Sequence, residues 1–141
     1  MADRPGEVYL VTGGCGFLGR HLVKMLVERG QGISEIRVFD VKVDRELESL
    51  STVAVHVKLI QGDVSEADSV RDAARGVDLI IHTAALIDVW GKYSPSRIWA
   101  INYQGTLNVI NACKELGIQF LLYTSSIEVV GPNSKGDPFI R

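Results

Sequence analysis

The chain has 141 residues, of which 46% are hydrophobic and 23% charged, and its 15 Lys and Arg against 17 Asp and Glu leave a formal net charge of −2. One domain with ample apolar material for a core is the expectation, and four prolines without any low-complexity block exclude disorder for most of the chain. The near-neutral charge, with basic residues scattered, argues against nucleic acid as a partner.

Short apolar runs alternate with helical periods along the chain. Runs rich in Val, Ile and Tyr at Glu7–Thr12, Glu35–Phe39, Val53–Ile60, Val77–His82 and Gln119–Thr124 read as parallel strands buried on both faces. Phe17 to Arg29 places Leu18, Leu22, Met25 and Leu26 on one helical stripe, with Gly30 as its C-cap. Ser65 to Arg75 opens on a capping Ser with an acidic first turn and closes at Gly76. Ser94 to Leu116 opens on Ser-Pro and closes at Gly117. The segment from Val41 to Ser51 is ambiguous between loop and short helix. This strand–helix repetition predicts an α/β, Rossmann-like doubly wound parallel sheet of five strands and about three helices. After Thr124 the pattern dissolves into Gly and Pro, so the expectation is one incomplete domain over residues 1–141, truncated after the fifth strand, with no second domain.

The polar N-terminus, carrying Asp3, is not a secretory signal. The longest uncharged stretch, Ile98 to Cys113, contains Asn102, Gln104, Asn108 and Asn111 and does not read as a membrane span. Cys15 and Cys113 cannot build a disulfide framework and point to a reducing compartment. No Cys/His cluster has metal spacing, so no metal site is expected.

The turn between the first strand and first helix carries the chemistry. Gly14, Gly16 and Gly19 fit G-x-G-x-x-G, while Gly13, Gly16 and Gly19 fit T-G-x-x-G-x-x-G. Either way, one glycine makes a tight turn, one admits a pyrophosphate to the backbone and one packs helix on strand. The phosphates would then meet free N–H groups at the helix N-terminus. Asp40 ends the second strand about 20 residues on, where a carboxylate accepts from ribose hydroxyls and repels a 2′-phosphate, favouring NAD over NADP. Lys42 and Arg37 are near enough in sequence to soften that repulsion. Asp63 and Val64, after Gly62, have two readings: contact with adenine, or an ordinary Asx-type turn before Ser65. Small residues after the fourth strand, Thr83, Ala84 and Ala85, would let a cofactor lie against the backbone, and His82 reads as a packed core histidine.

Taken together, Thr12-Gly13-x-x-Gly16-x-x-Gly19, Asp40, Gly62-Asp63-Val64, Asn102-x-x-Gly105-Thr106 and Thr124-Ser125-Ser126 resemble the extended short-chain dehydrogenase/reductase superfamily. The stretches Ile81–Gly91 and Tyr123–Asn133 resemble, more narrowly, the 3β-hydroxysteroid dehydrogenase/Δ5-Δ4 isomerase family. Gly14-Cys15-Gly16 with the Gly131–Gly136 tail is most similar to its branch acting on C27 sterols in bile-acid synthesis. The resemblance implies NAD as cofactor, with Phe17 and Leu18 under the pyrophosphate, Asp40 at the ribose, and Asp63 and Val64 at the adenine. Thr83, Ala84 and Ala85 would line the cofactor, with Asn102 toward the nicotinamide. Ser126, or its neighbour Ser125, would hydrogen-bond the substrate oxygen; strand-end capping is the plainer role for both. It further implies a steroid or sterol substrate, a homodimer when full length, and the cytoplasmic face of the endoplasmic reticulum, with membrane contact through a C-terminal part.

The family's base is the Tyr of a Tyr-x-x-x-Lys pair, and none of Tyr9, Tyr93, Tyr103 or Tyr123 has Lys four residues later. Tyr93 has Arg97 instead. The chain therefore reads as the cofactor half of an enzyme, inactive alone. Two other functions fit the same residues: a nucleotide-sugar epimerase or dehydratase, and a non-catalytic NAD-binding subunit.

Overall fold

The computed structural model describes residues 6–130. Five parallel strands form one sheet in the order β3-β2-β1-β4-β5. They are β1 (Glu7–Thr12), β2 (Ile33–Asp40), β3 (His56–Gln61), β4 (Leu79–His82) and β5 (Phe120–Tyr123). This is the doubly wound order of the dinucleotide-binding fold, and its reversal point lies between β1 and β4. The helices are α1 (Phe17–Arg29), α2 (Ala67–Ala74), α3 (Pro95–Trp99) and α4 (Gly105–Leu116), with 3₁₀ turns at Arg45–Leu50 and Ile127–Val130.

Alternation along β1 divides the core between the two faces. Val8 and Leu10 pack with Val70, Ala73, Ala74, Val109 and Ala112 under α2 and α4. Val11 packs on the opposite face with Val23, Ile36, Val38 and Leu47, under α1 and the first 3₁₀ turn. The ambiguous segment is thus partly helical, and its buried Leu47 gives it a structural purpose.

Several expected boundaries shift for local reasons. The third strand begins at His56 rather than Val53, because Thr52 and Val55 close a turn: Thr52 N–H donates to Val55 O, and Val55 N–H donates to Thr52 Oγ1. Val53 is left fully exposed. The first strand has its expected bounds, the fourth starts two residues late and ends at His82 as expected, and both ends of the second and fifth move by one or two positions. On α1 the buried residues are Gly19 and Val23, with Leu22, Leu26 and Val27 beside them, whereas Leu18 and Met25 are about half exposed. The apolar stripe is rotated by roughly one residue because the small Gly19 lets the helix rest its backbone on the turn. Gly30 does end α1, but in extended conformation, its N–H donating to Leu26 O. Ser65 does not cap α2; Asp63 accepts from both its N–H and its hydroxyl, and the helix starts two residues later. Gly76 and Gly117 close their helices with positive φ of 70° each, and Ser94 caps α3 as its sequence suggests.

The expected helix over 94–116 is three segments in one rod, because Ala100–Gln104 forms a π-helical turn between α3 and α4. A π turn inserts one extra residue per turn and shifts the side chains that follow it. Here it frees Asn102 to turn toward the chain after β4.

Candidate functional site

The C-terminal ends of β1, β2, β4 and β5 open on the same edge of the sheet, where crevices at a reversal point receive ligands. The glycine turn occupies the centre of this edge. Gly13 takes a φ of +66°, and a Cβ there would sit 2.8 Å from the Ala84 backbone, so the turn lies directly on the residues following β4. Gly13 N–H donates to Phe39 O at 2.8 Å, tying the turn to β2. A Cβ on Gly19 would stand 2.2 Å from Gly13 O and 2.6 Å from Gly14 Cα, so only glycine lets α1 start this close to its own turn. Gly16 differs. A Cβ there would meet nothing nearer than Gly13 O at 3.2 Å, and its far side is open.

Helix α1 begins at that open side. Its first residue follows Gly16 with no side-chain cap and no acidic residue in the first turn. Free N–H groups and the positive end of the helix dipole therefore meet open space, which suits a phosphate. Phe17 is 84% exposed, its ring set edge-on to His21 at 5.0 Å, and Leu18 is about half exposed.

Asp40 stands beside this opening, already oriented. Its Oδ2 accepts from Cys15 N–H at 3.0 Å and its Oδ1 from Lys42 N–H at 3.3 Å. The carboxylate thus keeps further lone pairs for a sugar hydroxyl. Arg37 does not soften its charge. That guanidinium pairs with Glu35 at 2.6 Å and donates to Ala73 O and Arg75 O at 2.7 Å each, at the C-terminal end of α2. Two residues that the spacing gave no reason to single out stand here as well. Arg20 donates to Cys15 O and pairs with Asp44 Oδ2, both at 3.0 Å, while Asp44 N–H approaches Cys15 Sγ at 3.3 Å. Burial pushes the Cys15 thiol above its ordinary pKa, so it is a neutral packing group rather than a nucleophile.

At the end of β3, Asp63 is engaged by Ser65 and, through Oδ2, by Arg97 of α3 at 2.8 Å. Burial works to raise its carboxyl, but the Ser65 hydroxyl, the Ser65 N–H and the Arg97 guanidinium outweigh it and hold the carboxyl below its ordinary range. Val64 is buried against Gly105, where a Cβ would stand 2.7 Å from its Cγ2. Its carbonyl accepts from the buried Asn108.

The other side of the turn is held by a chain of side chains. Thr83 donates from both N–H and Oγ1 to Thr12 O, and Ala84 N–H donates to Thr12 Oγ1 at 3.3 Å. Thr12 Oγ1 lies 2.7 Å from Nδ1 of the buried His82, whose Nε2 lies 3.0 Å from Thr106 Oγ1. Thr106 in turn donates to Asn102 O at 2.8 Å. Each hydroxyl carries one proton, and Thr106 spends its own on Asn102, so it accepts from His82 Nε2–H. His82 Nδ1 is then the acceptor for the Thr12 hydroxyl. Burial lowers the pKa of His82 to about 4, which agrees with this neutral tautomer. The Asn102 amide completes the network: it accepts from Leu86 N–H at 2.7 Å and donates to Leu86 O at 2.9 Å. Asn102 therefore clamps the backbone just beyond Thr83, Ala84 and Ala85. Its reach comes from the π turn, for which the sequence gives no signal.

Ser125 and Ser126 are exposed beyond β5, where Thr124 donates from N–H and Oγ1 to His82 O at 3.2 Å. They reach the same edge as Thr83. Tyr93 precedes α3 and its neighbour Arg97 is committed to Asp63, so the two do not act as a pair. The Gly131–Gly136 tail lies outside the described residues. Among the described residues, no helix is long and apolar enough to cross a membrane.

The model of the 3-beta hydroxysteroid dehydrogenase/isomerase family matches residues 10–141. The chain belongs to that family. It is 56% identical to mouse 3 beta-hydroxysteroid dehydrogenase type 7 over 144 aligned residues, covering 100% of this chain and 39% of that protein. It is 50% identical to the vaccinia virus (strain Ankara) 3 beta-hydroxysteroid dehydrogenase/Delta 5-->4-isomerase over 133 residues, covering 94% of this chain and 38% of that protein. The chain thus spans about two fifths of the length of the curated relatives it matches. Among solved structures, the NAD complex of a mutant uronate dehydrogenase from Agrobacterium tumefaciens superposes with a TM-score of 0.72 at 22% identity, covering 90% of this chain and 43% of that one. That likeness shows a shared fold. In a member of the 3-beta hydroxysteroid dehydrogenase/isomerase family, the glycine turn, Asp40 and the strand ends make up one continuous edge.

Proposed function

We propose that this chain supplies the NAD-binding half of a dehydrogenase that oxidises a 3β-hydroxy-Δ5-steroid to the 3-oxo-Δ4-steroid. The observation that carries it is the open, uncapped N-terminus of α1 beside Gly16, with Asp40 held next to it by Cys15 N–H. Gly13, Gly16 and Gly19 would hold the pyrophosphate on free N–H groups, with Phe17 and Leu18 flanking it. Asp40 would accept from the ribose hydroxyls. Asp63 and Val64 would border the adenine, in which role Asp63 would act from its Ser65-bound position. Thr83, Ala84 and Ala85, held by Thr12 and Asn102, would support the far end of the dinucleotide.

NAD supplies the hydride acceptor when bound. Ser126, with Ser125 as the alternate, would hydrogen-bond the substrate oxygen and orient its C–H toward that acceptor. A serine hydroxyl has no pKa suited to taking the proton at neutral pH, and none of the four tyrosines has the lysine that would lower its own. The chain alone therefore binds NAD weakly and turns over nothing. The relatives' names support a steroid substrate. A C27 sterol, a homodimer when full length and the cytoplasmic face of the endoplasmic reticulum complete the proposal, and these rest on the resemblance of the sequence alone.

The test is calorimetric titration of the 141-residue chain with NAD, paired with NADH formation from 7α-hydroxycholesterol or pregnenolone. Measurable NAD binding without turnover is expected. Turnover by this chain would mean that another of its residues serves as base, and absence of NAD binding would remove the dinucleotide reading.

A further inference from the structure

Two acids, not one, frame the ribose end of the proposed site. Asp40 holds Cys15 by its N–H, and Asp44 lies on the other side of the same residue. Between Asp44 and the Cys15 carbonyl sits the Arg20 guanidinium, with 3.0 Å contacts to each. One residue of backbone therefore separates Arg20 from the Asp40 carboxylate. A planar guanidinium is the group best shaped to grip a phosphate, and an arginine near the strand-end acid is how such sites accept a 2′-phosphate. Here that arginine is engaged by a carboxylate, and the carboxylate is fixed: Asp44 Oδ1 caps the 3₁₀ turn by accepting from Glu46 N–H at 3.1 Å, which leaves Oδ2 directed at Arg20. The pair is partly exposed, with side chains 43% and 30% accessible, so it lies within reach of a ligand.

We propose that Asp44 is a specificity-determining residue: it keeps Arg20 from a 2′-phosphate and so reinforces the preference for NAD over NADP that Asp40 sets. This rests on the reading of the edge as a dinucleotide site. Lys42 is another cation nearby, but its ammonium is a flexible point charge, and its N–H is bound to Asp40. The signal in the sequence was slight: Arg20 directly follows the last glycine, while Asp44 falls in the segment that carried no clear periodicity.

The experiment is a double-mutant cycle in the full chain, reading the ratio of dissociation constants for NADP and NAD by calorimetry. Asp44→Asn keeps an oxygen for Glu46 N–H and removes the charge that holds Arg20. It is expected to tighten NADP relative to NAD by about three- to tenfold, as one partly exposed charge-assisted contact would. In an Arg20→Gln background the same change should shift the ratio by less than about twofold, because only diffuse repulsion is then relieved. Equal shifts in both backgrounds would overturn the proposal, showing that Asp44 acts by its charge alone and not through Arg20. No shift in either would overturn it as well. Asp44→Ser, which retains a capping oxygen, serves as a second variant if Asn disturbs the turn, and must show the same dependence on Arg20. A parent chain that binds neither dinucleotide would fail the reading of the site itself, an outcome distinct from NAD binding with an unmoved ratio.

Discussion

At β1 the strand delivers Leu10, Val11 and Thr12 to the site edge with no exposure at all, whereas β5, beyond β4, leaves Phe120 64%, Leu122 53% and Tyr123 51% exposed. The same contrast runs through the site. Around β1 and β2 the contacts stay within one strand–helix–strand unit and its following turn, and most use a backbone group on at least one side: Gly13 to Phe39, Cys15 to Asp40, Arg20 across Cys15 to Asp44. Around β4 and β5 they pass through side chains, from Thr12 to His82 to Thr106 to Asn102 to Leu86, drawing on residues up to 70 positions apart. A single β-α-β crossover can prepare the adenosine end of such a site by itself. The reacting end needs elements brought from farther along the chain, and its geometry is correspondingly more exposed to disturbance.

The strongest way to break the first half is at its glycines, and they should fail differently. Gly19→Ala places a Cβ 2.2 Å from Gly13 O, against backbone that cannot yield, and should cost more than about 3 kcal/mol of stability. Gly16→Val meets only Gly13 O at 3.2 Å and should leave a folded chain with no NAD binding, since its branched side chain enters the open side. Urea unfolding and calorimetry on both variants check this. A Gly16→Val chain that retains NAD affinity would show that the turn is only structural.

The second half is best probed by pH. His82 is neutral in the fold, its pKa lowered by burial to about 4. The unfolded chain, with a histidine near its ordinary value, binds the proton first as pH falls, so stability declines between about pH 6.5 and pH 4 and levels off below. The loss should approach about 2–3 kcal/mol, and His82→Asn should flatten the slope across that window. Asp63 titrates lower than this, so the interval belongs to His82. Denaturation midpoints at pH 7, 5.5 and 4 would show it, and a slope that survives His82→Asn would assign it elsewhere.

Asp40→Ala returns to the first half. It removes an acceptor that the turn has already oriented, and NAD binding should weaken by about 1.5–3 kcal/mol with discrimination against NADP relaxed. Equal affinities for NAD and NADP before and after the change would sink the ribose role.

What could be read in the sequence follows the same division. The strands, the order of elements, the three glycines and Asp40 were legible because each rests on local pattern: periodicity, turn chemistry and fixed spacing. The π turn, the Asn102 clamp and the Thr12–His82–Thr106 chain were not, because nothing within a short window of Asn102 or His82 announces a partner that sits 16 or 70 residues away. Arg37 was misplaced for a related reason. Its position in β2 is local, but the carbonyls it donates to, on Ala73 and Arg75, come from the end of another helix. The sequence leaves Asp63 between two readings; its bonds to Ser65 build the turn, while its bond to Arg97 reaches across to α3.

The smallest expected effect joins the two regions. Arg97, on α3 of the β4 side, donates to Asp63 Oδ2 at the end of β3, with side chains 45% and 23% exposed. So exposed a pair contributes about 0.2–1 kcal/mol, and Arg97→Ala should cost no more than that at neutral pH. Asp63 keeps its Ser65 bonds in the variant but loses the guanidinium, so its carboxyl should rise toward the ordinary range. The sign then follows from linkage: a carboxyl held low in the fold adds stability that is present at neutral pH and lost as pH falls through its folded pKa. The parent should therefore lose more stability than Arg97→Ala on acidification, and the gap between them should close once Asp63 is protonated in both. Urea midpoints for the two chains at pH 7 and again below pH 3 measure it. A gap that stays constant with pH would mean that the Arg97 stem stabilises α3 by packing, and that its charge does not couple the two halves of the edge.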